Sequence, residues 1–164
     1  MEYLHTYQSP LGMLTLTADE TGLTGLYLRE PTVSEALLPR ETDRFSRASA
    51  WLDSYFRGEQ PDPDGLTLSP KGTPFRQLIW SLLRQIPYGQ VRTYGQLAAE
   101  AARLLGKERM SAQAVGGAVG HNPISIIVPC HRVVAAGNQL GGFGWGPDAK
   151  IWLLNHEGGH YDHK

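Results

Sequence analysis

Residues 121–134 read HNPISIIVPCHRVV and contain the only cysteine of this 164-residue chain. An apolar run over residues 124–128, broken by one serine, leads into Pro129. Proline lacks a backbone N–H and biases the residue before it toward an extended conformation. The pattern therefore predicts a buried strand that ends at Cys130. A basic, titratable pair, His131-Arg132, follows at once.

A lone cysteine is typical of two different things. It is often a small buried hydrophobe. It becomes a nucleophile where a neighbouring imidazole or cation favours the thiolate. Neighbouring side chains on a strand point to opposite faces, so His131 reaches Cys130 only through a bend after Pro129 or a bridging water. The local sequence leaves both interpretations open.

Bulk properties limit the class of protein. The length allows one domain or two small ones, and 41% hydrophobic with 19% charged residues is ordinary for a globular protein. No apolar run approaches the roughly 18 residues of a membrane span, and the N-terminus has no signal-peptide pattern. One cysteine excludes an intramolecular disulfide and a multi-thiolate zinc site. We expect a cytoplasmic protein with no membrane association and no metal.

Charge is unevenly distributed along the chain, although the net charge is −1. Residues 1–69 hold 5 basic and 11 acidic residues, a net charge of −6, whereas residues 70–110 hold 7 basic and 2 acidic, a net charge of +5. Residues 111–164 are neutral. A basic segment is the usual footprint of a phosphate-contacting surface, but chance asymmetry remains an alternative.

The N-terminal part has the pattern of a small α/β domain. Strands are predicted over 2–7, 13–17 and 23–28, joined by turn residues into an antiparallel meander. Apolar spacing predicts a helix from Thr42 to Arg57. The following residues, about 58–65, are rich in Gly, Pro and Asp and form the clearest linker. We expect a scaffold domain over residues 1–69 and a second domain over 70–164.

The second domain is predicted to be mostly helical. Thr73-Pro74, Thr93 and Ser111 each have the residue types of a helix start. The helices that begin at Tyr94 and Ala112 are short and flank a basic turn, an arrangement typical of a helix-turn-helix. The last of these helices consists almost entirely of Ala, Gly and Val. Either tight helix packing or close approach to DNA would compensate for the helix stability that its glycines cost.

A glycine-rich loop with two aromatic residues, Phe143 and Trp145, lies beyond the cysteine. It lacks the Lys-Ser/Thr ending of a phosphate-binding loop. It fits a mobile wall that closes on a planar ligand, or a surface turn whose aromatic residues pack into the core.

Four blocks in order resemble the O6-alkylguanine-DNA alkyltransferase family. They are Ala114-Val115-Gly116-Gly117-Ala118, Asn122-Pro123, Pro129-Cys130-His131-Arg132-Val133 and Trp152-Leu153-Leu154-Asn155-His156-Glu157-Gly158. The resemblance covers about residues 73–158. It implies an α/β fold in which an N-terminal antiparallel sheet domain precedes a winged-helix-like helix-turn-helix domain. It also implies a monomer that needs no cofactor and acts on double-stranded DNA containing O6-alkylguanine, with O4-alkylthymine as a second candidate substrate.

The resemblance assigns roles to particular residues. Cys130 would accept the alkyl group irreversibly, once per molecule, while His131 acts as base through water and Glu157 polarises it. Asn122 would order the cysteine turn, and Tyr94 would press on the target phosphate and help protonate the leaving base. The nucleotide would have to be flipped out of the duplex. DNA or the flipped base would contact Gln113, Ala114, Gly117, Ser125, Arg132, Val133, Phe143, Gly144 and Trp145.

Two positions depart from the family pattern. Many members have an arginine where this chain has Gln113, and that arginine fills the hole left by the flipped base. Glutamine lacks the positive charge and the planar guanidinium of arginine, which predicts weaker binding to DNA. Trp145 stands where many members have glycine, which puts tolerance of bulky alkyl groups in doubt.

Three rival interpretations remain at this point. The first is a lesion-binding protein of the same fold that does not react, although relatives of that kind lack the cysteine. The second is a cysteine hydrolase built from Cys130, His131 and Glu157, which would need an oxyanion hole. The third is a redox-sensing thiol, which would lack a resolving cysteine.

Overall fold

A computed structural model of the chain describes residues 3–29 and 43–162. It divides into two compact units. The first runs to Lys71 and also takes in Pro123–Ser125, and the second comprises Gly72–Asn122 and Ile126–Lys164. The boundary lies two residues from the predicted one, but the return of a tripeptide to the first unit was not predicted. Glu2 and Thr42, at the starts of a predicted strand and helix, lie outside the described residues.

The first unit is built on an antiparallel sheet. Strands β1 (Tyr3–Ser9), β2 (Gly12–Ala18) and β3 (Leu23–Leu28) are hydrogen-bonded in chain order, which confirms the predicted meander. Helix α1 spans Asp43–Phe56. Alternation along the strands and helical spacing in α1 direct apolar side chains into one core. Its fully buried members include Leu14, Leu16, Leu26, Phe45, Leu52 and Tyr55.

The segment before the cysteine adds to the edge of this sheet. The backbone N–H of Leu26 donates to the carbonyl of Pro123 at 2.8 Å, and Leu26 forms a parallel bridge with Ile124. The ladder stops there, so the predicted strand over residues 124–128 is wrong. The backbone turns instead, and Ile126 takes a φ of 71°. A buried β-branched residue in the left-handed region is strained, and no sheet continues through it.

The second unit begins with three capped helices, α2 (Pro74–Leu83), α3 (Tyr94–Leu105) and α4 (Ala112–Gly120). Their caps are the predicted ones. Thr73 accepts a hydrogen bond from the Arg76 N–H, Thr93 forms a reciprocal capping box with Gln96, and Ser111 accepts from Gln113 and Ala114. Gly106, with a φ of 67°, ends α3. The two consecutive helices predicted to form a helix-turn-helix are thus α3 and α4.

Short strands and a last helix complete this unit. Strand β4 (Arg92–Thr93) pairs in parallel with β5 (Val133–Val134), and α5 spans Pro147–His156. Because Thr93 caps α3, this ladder holds the start of α3 beside the chain that leaves Cys130. No helix within residues 3–29 and 43–162 has the length and apolar character needed to cross a membrane.

Candidate active site

The cysteine sits on a tight turn. Pro129 has φ −82° and ψ 68°, and the Cys130 N–H donates to the Val128 carbonyl at 2.8 Å, which is an inverse γ-turn. Cys130–Arg132 then form one 3-10 turn. The same Val128 carbonyl accepts a hydrogen bond from Nδ2 of Asn122 at 2.8 Å. The Asn122 side chain, eight residues before Cys130 in the sequence, thus fixes the conformation of the turn that carries the thiol.

His131, the residue after the cysteine, forms a buried pair with Glu157. Nε2 of His131 lies 2.6 Å from Oε2 of Glu157, and both side chains are withdrawn from solvent. Burial would raise the pKa of Glu157, but a hydrogen bond with His131 and the hydrogen bonds and positive charge of Arg132 hold it well below its usual range. Burial lowers the pKa of His131, which Glu157 only partly offsets. The resting pair is therefore a carboxylate and a neutral imidazole.

This charge state determines which nitrogen of His131 can act as a base. A neutral ring facing a carboxylate carries its proton on the nitrogen that donates, so we assign the proton to Nε2. Nδ1 then keeps its lone pair. It has no hydrogen-bond partner among the described residues, although it is buried. The imidazole ring of the residue that follows Cys130 thus has a free acceptor nitrogen.

Arg132 is placed differently from the expectation that it contacts DNA. Its Nε lies 2.7 Å from Oε1 of Glu157 and its Nη2 3.1 Å from Oε2, while Nη1 donates to the Ile86 carbonyl at 2.7 Å. The guanidinium also lies over the Tyr88 ring. Its donors are committed inside the protein, so we infer that Arg132 holds Glu157 in place.

Tyr94 opens α3 and is close to the cysteine in space. Burial raises the pKa of its phenol, a negative charge on Cys130 raises it further, and a hydrogen bond from the Gly142 backbone partly offsets both. At Gly141, with a φ of 74°, a Cβ atom would lie 3.1 Å from the Tyr94 ring. The glycine-rich loop therefore passes directly against Tyr94.

The other residues predicted to contact the base are distributed between surface and core. Phe143 and Trp145 are half-buried, with ring centroids 5.9 Å apart, and Gly144 is exposed. Val133 is buried in β5, and Ser125 is buried within the first unit. The loop aromatic residues are thus available to a ligand in this conformation, whereas the Val133 side chain is not.

Helix α4 exposes the residues predicted to face DNA. Gln113, Ala114 and Gly117 are exposed, whereas Val115, Ala118 and Val119 pack inward. A Cβ atom at Gly117 or Gly120 would meet nothing within 4 Å. Packing within the protein therefore does not require glycine at these two positions, which favours the second explanation given above for the small residues of α4.

Lys150 was missed by the sequence analysis. Its side chain is fully buried, and Nζ donates to the carbonyls of Val133 at 2.6 Å and Gly142 at 3.0 Å. The sequence feature that could have indicated its burial is its position inside the apolar stretch 149–154, which lies in α5. A lysine buried between Ala149 and Ile151, which are also buried, is unusual, because burying an ammonium is costly.

Comparison with known proteins identifies the family. Residues 3–70 match the family described as 6-O-methylguanine DNA methyltransferase, ribonuclease-like domain, and residues 74–159 match its DNA binding domain. The chain is 39% identical over 160 residues to a methylated-DNA–protein-cysteine methyltransferase of Methanosarcina acetivorans, covering 95% of this chain and 98% of that one. It is 42% identical over 159 residues to that of Mycobacterium bovis, covering 96% and 93%.

Solved structures agree with this match. The crystal structure of Mycobacterium tuberculosis OGT in complex with DNA superposes with a TM-score of 0.81 at 41% identity, covering 94% of this chain and 92% of that one. The O6-methylguanine methyltransferase of the same organism gives a TM-score of 0.79 at 42% identity, covering 96% and 93%. The chain belongs to the 6-O-methylguanine DNA methyltransferase family.

Proposed function

We propose that this protein repairs alkylated DNA by transferring the alkyl group from guanine O6 to Sγ of Cys130. The observation that supports the assignment is the turn at Pro129 that carries Cys130, followed directly in the chain by His131, whose buried ring pairs with Glu157 and whose Nδ1 has no hydrogen-bond partner among the described residues. Membership of the family supports the reaction, and DNA is the partner. O4-alkylthymine is a second substrate to test.

The transfer is a nucleophilic displacement at the alkyl carbon. Nδ1 of His131 takes the Cys130 proton through a water molecule, because Nδ1 has no direct partner. The thiolate lone pair forms the S–C bond, and the electrons of the broken C–O bond pass to the base. Tyr94 supplies a proton to the departing guanine, and its raised pKa keeps the phenol protonated for this step.

Asn122 and Arg132 act on this reaction through other residues. The Asn122 amide fixes the Val128 carbonyl, and with it the orientation of the Cys130 backbone. Arg132 keeps Glu157 ionised and correctly placed against His131. Both are positioning residues, since neither is proposed to touch the alkyl group.

DNA contact is proposed for the exposed face of α4. Gln113 would enter the space left by the flipped base, and Ala114 and Gly117 would let the backbone approach the duplex closely. A helix with so few polar side chains reads few base edges, which suits a protein that binds many sequences.

Phe143, Gly144 and Trp145 would form the wall against the flipped guanine. Val133 would reach the guanine through backbone atoms, because its side chain is buried. A contact from Ser125, which belongs to the first unit, stays a prediction from the family resemblance.

The thioether formed on Cys130 has no easy leaving group, so each molecule reacts once.

We also propose a cytoplasmic location, which is supported by a lone thiol that must stay reduced to react. The non-reacting alternative is not favoured, because the acceptor cysteine is present.

Single-turnover repair of an O6-methylguanine duplex tests the assignment. We expect wild-type protein to restore guanine at one equivalent, His131→Ala to be slower by about two orders of magnitude, and Cys130→Ser to be inactive. Binding without repair by the wild type would support the lesion-binding alternative. Repeated turnover of a chromogenic ester would support the hydrolase.

A further inference from the structure

The transfer described above assigns no role to Lys150, yet this side chain is fully buried and its ammonium interacts with the charge on Cys130. It is the single fully buried lysine in the part of the chain that the structure describes. Both of its hydrogen-bond acceptors, the carbonyls of Val133 and Gly142, are neutral. One lies three residues after Cys130, and the other lies in the loop that carries Phe143 and Trp145. A single ammonium therefore joins the cysteine segment to the loop.

The charges around Lys150 indicate what it interacts with. Burial lowers the pKa of Lys150 to about 8, and a negative charge on Cys130 acts in the opposite direction. The ammonium is therefore still largely protonated at neutral pH. Interaction between two titrating groups is reciprocal, so a cation that is stabilised by the thiolate must stabilise the thiolate equally.

None of the neighbouring titratable groups Tyr94, Arg132 and His131 supplies a free positive charge that could stabilise the Cys130 thiolate in place of Lys150. Tyr94 faces Cys130 as a neutral phenol. The Arg132 guanidinium is paired with Glu157, and His131 is neutral at rest. The Lys150 charge further disfavours a proton on His131. His131 thus serves as a transient proton acceptor, and Lys150 supplies the lasting positive charge that stabilises the thiolate.

We propose that Lys150 is a positioning residue for the transfer, because its buried ammonium is the counter-charge of the Cys130 thiolate and ties Val133 to Gly142. This inference rests on the proposed role of Cys130 as the acceptor. It concerns the free protein before DNA binds, so it is testable without any transfer reaction.

The test uses the reactivity of the single cysteine in the absence of DNA. The rate of Cys130 alkylation by iodoacetamide is measured against pH for the wild type, Lys150→Met and Lys150→Arg. Lys71→Met is the matched control, because Lys71 is 73% exposed and forms its ion pair with Asp19 in the first unit. Circular dichroism checks that each variant is folded.

We expect the thiolate midpoint of Lys150→Met to rise by about one pH unit, which lowers the alkylation rate about tenfold at a pH below both midpoints. Lys150→Arg should keep most of the wild-type reactivity, and Lys71→Met all of it. Raising the pH above the new midpoint should restore reactivity in Lys150→Met, which a purely structural defect would not allow. A folded Lys150→Met with the wild-type midpoint would overturn the proposal.

A second measurement does not depend on folding of the lysine variants. The titration of Lys150 Cε is followed by carbon NMR in the wild type and in Cys130→Ser. Loss of the anion should move the Lys150 midpoint to lower pH, and an unchanged midpoint would contradict the pairing. If the pairing holds but no methyl group is transferred from DNA, the proposed function fails and the electrostatic inference stands.

Discussion

Oε2 of Glu157 lies 2.6 Å from Nε2 of His131, and both side chains are buried. The same carboxylate is paired with Arg132. One negative charge therefore orients the proposed base and compensates a buried guanidinium. Structural and chemical roles coincide in Glu157, and they can be separated by pH.

Glu157→Gln should destabilise the protein by about 3–5 kcal/mol at neutral pH, because it leaves the Arg132 charge buried without a partner. Urea unfolding measures this. The folded-state pKa of Glu157 lies below its ordinary value of 4.5, so its contribution is present above pH 4.5 and is lost as the pH falls further. The difference in unfolding free energy between Glu157→Gln and the wild type should therefore become smaller below pH 4.5.

A matched control for this prediction is Glu59→Gln. Glu59 pairs with Arg57 at 3.0 Å, but both side chains are more than half exposed. We expect little change in stability from this substitution. Equal destabilisation by the two substitutions, or a difference for Glu157→Gln that persists in acid, would argue against a buried charge at Glu157.

Gly117→Ala should change stability and DNA binding in opposite directions. Its Cβ would enter open space, and alanine favours a helix over glycine by roughly 1 kcal/mol. The added methyl group would face the duplex and hold α4 away from it. We expect a higher midpoint in thermal unfolding and several-fold weaker binding in a fluorescence anisotropy titration. Unchanged binding would show that DNA does not approach this face closely.

Gln113→Arg should strengthen binding to a duplex that contains O6-methylguanine. Arginine restores both a positive charge and a planar group that can stack in the place of the flipped base. Gln113→Lys restores the charge alone and should give a smaller gain. Unchanged affinity for Gln113→Arg would exclude this position from the DNA interface, and equal gains would reduce its role to charge.

Trp145→Gly should widen the range of alkyl groups that are accepted. The half-buried indole lies against Phe143 in the loop proposed to close on the base. Removing it should raise the rate with O6-benzylguanine relative to O6-methylguanine, and the ratio of the two rates serves as its own control. A constant ratio would place Trp145 outside the alkyl pocket.

The helices and strands could be predicted because their signals are local. Thr73-Pro74, the Thr93–Gln96 capping box and Ser111 mark helix starts within four residues of sequence. Alternation over residues 13–17 marks β2 in the same way. The family blocks likewise made Cys130, His131 and Glu157 recognisable together.

The features that were missed depend on contacts between residues far apart in sequence. The chain before Cys130 reads as a strand, but Ile124 pairs with Leu26, some hundred positions earlier, and the chain then turns at Ile126. Similarly, the burial of Lys150 depends on the carbonyls of Val133 and Gly142. Side-chain identity alone does not specify such partners.

The central claim is that Cys130 accepts one methyl group from DNA and keeps it. It is tested most directly by the intact mass of the protein after incubation with excess duplex containing O6-methylguanine, beside Cys130→Ser. The account predicts a gain of one methyl group per molecule, saturating there and located on the Cys130 peptide, with no gain in the variant. No gain in the wild type, or an equal gain in Cys130→Ser, would contradict it.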